Sequence, residues 1–161
     1  LWLNKIPTND WIDYIVTHFH EAGREIPNEL AAKICETVEN YPSYVQHLAS
    51  IVLNMLFQGA TVTEELIEPA LSELISTNEA LYMQQVEPLT GYQMNLLRAI
   101  VSGIHEGYNE KRVRSDYNLG SPSNLVRLRN ALIERDIIYS EMRKLYITDP
   151  VFRLWFRRRL M

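Results

Sequence analysis

Apolar residues recur at helical spacing through the first half of the chain. Between residues 8 and 86 they fall three and four positions apart, in four runs separated by Gly, Pro or Asn. This spacing predicts four amphipathic helices. The first is capped by Thr8 or Asn9 and stops at Gly23, the second opens at Pro27-Asn28, the third follows Pro42 and closes at Gly59, and the fourth starts at Thr63. Because Pro69 lies one turn inside the fourth helix, that helix either starts later or is kinked.

A different signal marks the second half of the chain. Gly120 favours a tight turn, Ser121 an N-cap and Pro122 the first position of a helix. From Leu125 onward the apolar residues of this helix recur at i, i+3 and i+7. A shorter helix before the turn completes a predicted helix-turn-helix. The candidate reading face of the second helix is polar and consists of Ser123, Asn124, Arg127 and Asn130.

The residues after this helix predict a compact β-ribbon. Strands are expected at 137–139 and 144–147, with a polar wing at 140–143 between them. A last helix, from Val151 to about Leu160, places large aromatic residues toward the core. The predicted fold class is therefore mainly α: a four-helix unit at residues 1–86, followed by a winged helix-turn-helix domain at residues 90–161 that carries a small β-ribbon.

Composition limits the class of protein. The chain has 161 residues, 47% of them hydrophobic, and none of its apolar runs approaches the roughly 20 residues that span a bilayer. The sequence shows no signal peptide, and the lone Cys35 cannot form an internal disulfide. These features predict a soluble protein of the reducing cytoplasm, with no membrane partner.

Charge is distributed unevenly between the two halves. Residues 1–89 hold 3 Lys and Arg against 13 Asp and Glu, whereas residues 90–161 hold 13 against 7. A basic second half is typical of a module that meets nucleic acid or an acidic protein surface. Attraction between the two halves explains the same asymmetry, so charge alone leaves the partner open.

Short motifs in both halves resemble one family of proteins. The first set is Asn4-Lys5-Ile6-Pro7 with Trp11, and the run from Cys35 to Ala49. The second set is Gln93 with Leu96 to Ile100, Tyr117 to Ser121, Ala131-Leu132, and Asp149 to Phe152. In this order they resemble the C-terminal lid and winged-helix region of archaeal-type AAA+/STAND P-loop ATPases, a prokaryotic ATPase family. The resemblance covers essentially the whole chain.

The resemblance implies a role in nucleotide-dependent switching. Such ATPases bind nucleotide between a P-loop core and the lid, and the bound state sets the position of the winged helix. ATP or ADP with Mg²⁺ is thus implied for the full-length parent, whose P-loop core would be the partner of this region. A Gly-x-Pro element at a lid helix start approaches the base in STAND-type relatives, and Asn40 replaces that Gly here. Tyr41, Pro42 and Tyr44 are the implied nucleotide-binding residues, although Pro at a helix start also has a backbone reason.

The sequence lacks the residues that nucleotide hydrolysis requires. It contains neither a Gly-x-x-x-x-Gly-Lys-Ser/Thr loop nor an acidic metal ligand on a strand. We therefore expect this chain not to be an enzyme by itself. It begins at Leu1 without an initiator Met, as expected if an upstream P-loop core has been cut away.

Other chemistry finds little support in the sequence. The four histidines, His18, His20, His47 and His105, have no neighbouring Cys/His pattern, so we expect no metal site. Ser115-Asp116 lacks the context of a catalytic nucleophile. The tyrosines predict core or rim packing and not a stacking platform, since they are scattered: Tyr41, Tyr44, Tyr82, Tyr92, Tyr108, Tyr117, Tyr139 and Tyr146.

Three functional hypotheses remain open. In the first, this is the regulatory and output region of a P-loop ATPase. In the second, it is a stand-alone winged-helix module that binds double-stranded DNA, with Asn124 and Arg127 near base edges and roughly six phosphate contacts. In the third, it is a scaffold whose basic winged helix docks on the acidic lid, either within one chain or between two chains. The candidate phosphate contacts are Arg112, Arg114, Arg129, Arg143, Lys144, Arg157, Arg158 and Arg159.

Overall fold

The computed structural model describes residues 6–161, which form two compact units that divide between Asn78 and Glu79. Asn4 and Lys5 of the lid-like motif, and the chain start at Leu1, lie outside the described residues. Each unit has its own apolar core. Among the described residues, the fully buried side chains are apolar or aromatic.

The first unit is helical. It contains α1 (Thr8–Glu21), α2 (Asn28–Thr37), α3 (Pro42–Asn54), a 3₁₀ turn at Glu64–Leu66 and the beginning of α4 (Ile67–Val86). The four predicted helices are thus confirmed. Burial repeats with helical spacing on each of them, and each fully buried aliphatic or aromatic side chain contributes about 1.5–3 kcal/mol. The largest contributors include Ile15, Phe19, Ile34, Val45, Leu48, Val52 and Leu74.

The start of α1 differs from its prediction. Neither Thr8 nor Asn9 caps this helix: the N-cap is Pro7, and no side chain bonds the first amides. The capping prediction was wrong because Thr8 is already helical. The fixed φ of Pro7 sets the entry of the chain instead, at −55°.

The end of α3 also differs from its prediction. The helix ends at Asn54, so Gly59 does not close it. Gly59 lies in the following loop, where its N–H donates to the carbonyl of Gly23 at 2.8 Å. The Arg24 side chain also links these two loops, because it donates to the Leu56 carbonyl at 3.1 Å. The left-handed backbone at Gly23 and Gly59, with φ of 78° and 81°, explains why both are glycine.

The structure resolves the two alternatives for Pro69. Residues 64–66 form the 3₁₀ turn, and α4 begins only at Ile67. Pro69 therefore occupies the first turn of α4, where its missing N–H would have had no helical acceptor. The helix starts later than Thr63, as one of the two alternatives required.

The second unit begins within α4. It continues with α5 (Gly91–Val101), α6 (Lys111–Tyr117), α7 (Pro122–Glu134), β1 (Ile138–Glu141), β2 (Lys144–Ile147) and α8 (Pro150–Leu160). Its core contains Tyr82, whose ring centroid lies 5.5 Å from Phe152 and 5.6 Å from Trp155. Because Tyr82 belongs to α4, the boundary between the units lies upstream of the junction that the sequence predicts between residues 86 and 90.

The β-ribbon is longer than predicted and its wing is shorter. β1 and β2 are antiparallel, with Tyr139 opposite Tyr146 and Glu141 opposite Lys144. Residues 140 and 141, which the sequence analysis assigned to the wing, belong to β1. Their polarity misled the prediction, since polar side chains also suit the exposed positions of a two-stranded ribbon.

The fold class is confirmed as mainly helical. A helical bundle is followed by a winged-helix domain with a two-stranded antiparallel ribbon. Among residues 6–161, no helix combines the length and the apolar character needed to cross a membrane.

Candidate functional site

The turn between α6 and α7 holds the candidate reading helix in place. Its backbone is left-handed at Asn118 and Gly120, with φ of 53° and 77°. The positive φ of Gly120 would strain any other residue, and a Cβ there would lie 3.0 Å from Nδ2 of Asn124. The Ser121 hydroxyl accepts from the Asn124 amide at 3.3 Å, and Nδ2 of Asn124 donates to the Leu119 carbonyl at 3.3 Å. Asn124 therefore braces the turn, a role that the sequence analysis did not assign to it.

The two faces of α7 have the predicted polarity. Leu128 and Leu132 are buried and Leu125 is half-buried, so one face belongs to the core. The opposite side is exposed and carries Ser123, Val126, Arg127 and Asn130, whereas Arg129 is exposed at the edge of the buried face.

Exposed side chains of α7 differ in how they are engaged. The Ser123 and Ser121 hydroxyls lie 3.1 Å apart and share a hydrogen bond. Within the described residues, the side chains of Arg127, Arg129 and Asn130 form no hydrogen bond or ion pair. Their donors face solvent and can bind a partner. Their assignment to a DNA or protein interface stays a prediction.

The candidate phosphate contacts of α6 already have weak partners. Nε of Arg112 lies 3.7 Å from a carboxylate oxygen of Asp116, in a pair in which Arg112 is 90% exposed. Nε of Arg114 donates to the Asn109 carbonyl at 3.2 Å. An exposed pair of this kind contributes little to stability, so Arg112 remains accessible to an anion.

The wing tip is a two-residue turn. Met142 and Arg143 both have left-handed backbones, with φ of 50° and 66°, which L-residues other than Asn and Asp rarely adopt. Arg143 is exposed and Lys144 is half-buried. Both basic residues therefore stand at the tip of the ribbon, as the sequence predicts for a wing.

Arg157 and Arg159 of the C-terminal arginine run contact their own domain. Nη2 of Arg157 donates to the Val101 carbonyl at the end of α5, at 3.0 Å. Nε of Arg159 donates to Oε1 of Glu79 at 2.7 Å, and Arg158 is exposed. Arg157 therefore links α8 to α5, and Arg159 links α8 to α4. Its predicted role at a DNA or protein interface remains a prediction.

Glu79 has two hydrogen-bond donors from α8. Besides Arg159, the indole Nε1 of Trp155 donates to its Oε1 at 3.3 Å. These two hydrogen bonds, the one from Trp155 first, hold the pKa of Glu79 below its usual value of 4.5. Glu79 is thus a carboxylate at neutral pH and anchors α8 to α4.

Three rings stack on the outer face of the ribbon. The centroids of His105 and Tyr146 lie 4.6 Å apart, with 29° between the ring planes, and those of Tyr146 and Tyr139 lie 5.4 Å apart, with 26° between the planes. The sequence did not predict this column, because its tyrosines are scattered along the chain. A two-residue turn at residues 142–143 would have placed Tyr139 opposite Tyr146. No sequence signal brings His105 to them.

The lid-like motif of the first unit starts α3. Tyr41 is the N-cap and Pro42 the first helical residue, and the Tyr41 and Tyr44 ring centroids lie 5.0 Å apart. Asn40 has a φ of 57°, in the left-handed region that glycine also adopts. Its Nδ2 donates to the Thr8 hydroxyl at 2.8 Å. Asn40 therefore has a backbone conformation in which glycine and asparagine are favoured over other residues.

Titratable side chains form no metal site in the part of the chain that the structure describes. No group of three or more His, Cys, Asp or Glu residues there could hold a metal ion. The free thiol of Cys35 is fully buried, and this burial raises its pKa to about 11. Cys35 is therefore a core residue and not a nucleophile at neutral pH.

The helix-turn-helix and ribbon together define the second unit as a winged-helix domain. Residues 80–158 match a family model described as "Probable winged helix domain", which covers just under half of the chain. Among solved structures, the chain is similar to a Walker-type ATPase of Pyrococcus abyssi, with a TM-score of 0.73 and 18% sequence identity. The alignment covers 95% of this chain and 42% of that ATPase, so this chain spans less than half of its length. At this identity the likeness shows a shared fold. Comparison with curated proteins gives no match.

Proposed function

We propose that this chain is the C-terminal regulatory and output region of a cytoplasmic P-loop ATPase of the AAA+/STAND type. One observation carries the proposal: the fold of both units, in order, is similar to part of a Walker-type ATPase that is more than twice as long as the aligned region. The helical bundle acts as the lid over nucleotide, and the winged-helix domain acts as the output. The ATPase core belongs to another part of the parent protein.

The start of α3 supports the lid role. Asn40 adopts a left-handed backbone, which glycine also adopts readily, and Pro42 opens the helix behind it. Tyr41 and Tyr44 lie beside this helix start, and their rings supply planar surfaces for a base. In this proposal they contact ATP or ADP, while the core supplies the phosphate loop and the Mg²⁺ ligands.

Isothermal titration calorimetry tests the lid role. This chain alone is expected to bind neither ATP nor ADP, whereas the same chain joined to its P-loop core binds nucleotide. In the joined protein, Pro42→Ala weakens nucleotide binding, and Pro122→Ala, the matched change at the start of α7, does not. Tight binding by the chain alone would overturn the assignment.

The exposed side of α7 supports the output role. The side chains of Arg127 and Asn130 present donors that no described residue engages, and Ser123 lies at the N-terminal end of the same side. Arg129 is exposed at the edge of this side and is likewise not engaged by a described residue. A helix held by a rigid turn with basic and amide side chains outward suits the major groove of double-stranded DNA. Arg143 and Lys144 of the wing supply further cations. We infer that double-stranded DNA is the partner.

Salt dependence tests the DNA role. Fluorescence anisotropy with a duplex at 50 and 200 mM salt is expected to give a log–log slope of about −4, from four to five phosphate contacts. Arg129→Ala reduces the slope by about one. Arg135→Ala, the control at the end of the same helix, leaves it unchanged. Duplex affinity that does not vary with salt would exclude this function.

Docking on a protein is the second candidate. It is favoured by the engagement of Asn124 in the turn and of Arg157 and Arg159 within the domain, which leaves fewer groups to read DNA. In this reading Arg127 and Val126 form the centre of a protein interface, either with an acidic partner or in a scaffold that is independent of nucleotide. Absence of salt-sensitive binding to any duplex would favour this candidate.

A further inference from the structure

The tip of the wing carries an exposed apolar side chain. Among the described residues, Met142 is the most exposed large hydrophobic residue, with 89% of its surface accessible to solvent. Ile138 and Leu145 of the same ribbon are buried, so the ribbon is anchored at its base while Met142 stands beyond the core. Packing within the domain therefore does not explain a methionine at this position.

The backbone of the turn does not explain the methionine either. Met142 and Arg143 connect β1 to β2, and φ is positive at both, 50° and 66°. Asn and Gly favour this conformation, whereas other side chains raise its free energy. Residues that are kept at such a cost cluster where a protein contacts a ligand. The Met-Arg pair is therefore a candidate for contact with a partner.

The ribbon below the turn is ordered. Glu141 pairs with Lys144 at the tip end of the ladder. The Leu145 amide donates to the His105 carbonyl at 2.8 Å, which ties β2 to the segment after α5, and the His105 ring stacks on Tyr146. A partner would therefore meet a turn that is already in place, and binding would cost little conformational entropy.

Charge around the tip indicates the class of partner. Arg143 is exposed beside Met142, and Lys144 follows it, against the single carboxylate of Glu141 in residues 141–144. Residues 79–161 as a whole hold 13 Lys and Arg against 9 Asp and Glu. The minor groove of DNA is about 6 Å wide, too narrow for a helix, and its negative potential attracts Arg. A narrow turn that carries an apolar side chain beside an arginine suits this groove.

We propose that Met142 is an apolar wedge that enters the minor groove, partly unstacks one base step and bends the duplex at that step. Only three residues separate the end of α7 at Glu134 from the start of β1 at Ile138, which keeps the wing close to the groove next to the α7 contact. Met is among the side chains that act as such wedges, and the resulting kinks are about 20–90°. The inference rests on the proposed DNA function and adds the shape of the bound DNA.

Energy transfer between two dyes tests the wedge. The dyes are attached to the two ends of a duplex of about 20 base pairs in which A and T alternate, because TA steps kink easily. Anisotropy first establishes the protein concentration that saturates the duplex. At saturation, the wild type is expected to raise the transfer efficiency above that of the free duplex, because a bend brings the ends together. Met142→Ala should leave the efficiency of the bound duplex close to that of the free one.

Three further variants separate the wedge from other effects. Met142→Leu should keep the bend, since leucine also acts as a wedge. Met83→Ala changes another exposed methionine of the same domain, outside the ribbon, and should bend the duplex as the wild type does. Met142→Asn should melt at a higher temperature than the wild type, because asparagine suits a left-handed backbone, and should still lose the bend. Its loss of bending therefore cannot come from unfolding.

The possible outcomes distinguish the wedge from the DNA function on which it rests. Salt-sensitive binding of the duplex without a rise in transfer efficiency, or a rise that Met142→Ala keeps, would overturn the wedge and leave the DNA function. A melting temperature of Met142→Asn below that of the wild type would show that methionine suits the turn, and would remove the reason for assigning it to a partner. Failure of the wild type to bind the duplex would remove both proposals.

Discussion

Two groups of arginines in the winged-helix domain look alike in the sequence and differ in the structure. Arg127 and Arg129 are exposed on α7, and no described residue bonds to their side chains. On α8, Arg157 donates to a carbonyl of α5 and Arg159 to the carboxylate of Glu79. Both groups are basic residues on amphipathic helices. They differ because described residues bond to the side chains of Arg157 and Arg159 and not to those of Arg127 and Arg129.

The difference arises from what lies beside each helix. Val101 is the last residue of α5, and its carbonyl is one of the four that a helix end leaves without a helical donor. Arg157 satisfies this carbonyl, as basic residues near a helix C-terminus often do. Within the part of the chain that the structure describes, no acceptor bonds the side chains of Arg127 and Arg129. A run of positive charge therefore marks a binding surface only where the fold leaves its donors unused.

The largest effect is expected from Trp155, which makes α8 a core helix. Trp155→Ala removes a fully buried ring that packs on Tyr82 and Phe152, and should lower the free energy of unfolding by about 3–5 kcal/mol. Urea denaturation measures this change. Tyr92→Ala, at an exposed position, should change stability by less than about 0.5 kcal/mol. If α8 were a peripheral binding tail, the two variants would be equally stable.

The next effect concerns DNA affinity, which we expect to differ between variants of the two arginine groups. Arg127→Ala should weaken binding of duplex DNA about tenfold, because it removes an unengaged donor from the proposed reading face. Arg157→Ala should change affinity less than twofold, since its guanidinium already contacts Val101. Anisotropy titrations at one fixed salt concentration measure both. Equal losses from the two substitutions would mean that the intramolecular bond of Arg157 does not decide its availability.

Stability should show the reverse order for the same two variants. Arg157→Ala leaves the Val101 carbonyl without its donor and should cost about 1 kcal/mol of unfolding free energy. Arg127→Ala should leave the urea midpoint unchanged within about 0.5 kcal/mol. Arg157→Lys is the conservative comparison and should recover part of the loss. An unchanged midpoint for Arg157→Ala would contradict a structural role for α8 arginines.

Local signals explain what could be predicted in this domain. Ser121 and Pro122 fix the start of α7, and the leucines at i, i+3 and i+7 fix its buried face. Both signals can be recognised because caps and periodicity depend on neighbours in the sequence. The partners of Asn124 and Arg157 could not be predicted. Asn124 meets a carbonyl across a turn, and Arg157 meets one that is 56 residues away. Such acceptors exist only once the helices have packed.

The candidate site shows the same limit. The sequence could identify the basic residues of α6, α7, the wing and α8 as candidates for binding. It could not show which of their side chains bond to other residues of the same domain. The cross-strand pair of Tyr139 and Tyr146 was within reach of a correct turn assignment, because the register follows from a two-residue turn. The position of His105 in the column could not be predicted. It depends on a backbone hydrogen bond from Leu145, which is 40 residues away in the sequence.

The smallest effect concerns Glu79, the acceptor of Arg159, and depends on pH. Because the folded-state pKa of Glu79 lies below 4.5, its contribution to stability is fully present above about pH 4.5 and is lost as pH falls through the folded pKa. Glu79→Gln should therefore be less stable than the wild type at pH 7, and the difference should shrink on acidification. Urea midpoints of both proteins between pH 7 and 3 measure it. Glu87→Gln, at an exposed position just past the end of α4, is the control and should parallel the wild type. A difference between wild type and Glu79→Gln that stays constant down to pH 3 would mean that the carboxylate charge does not hold α8, and that Arg159, like Arg127, is available to a partner.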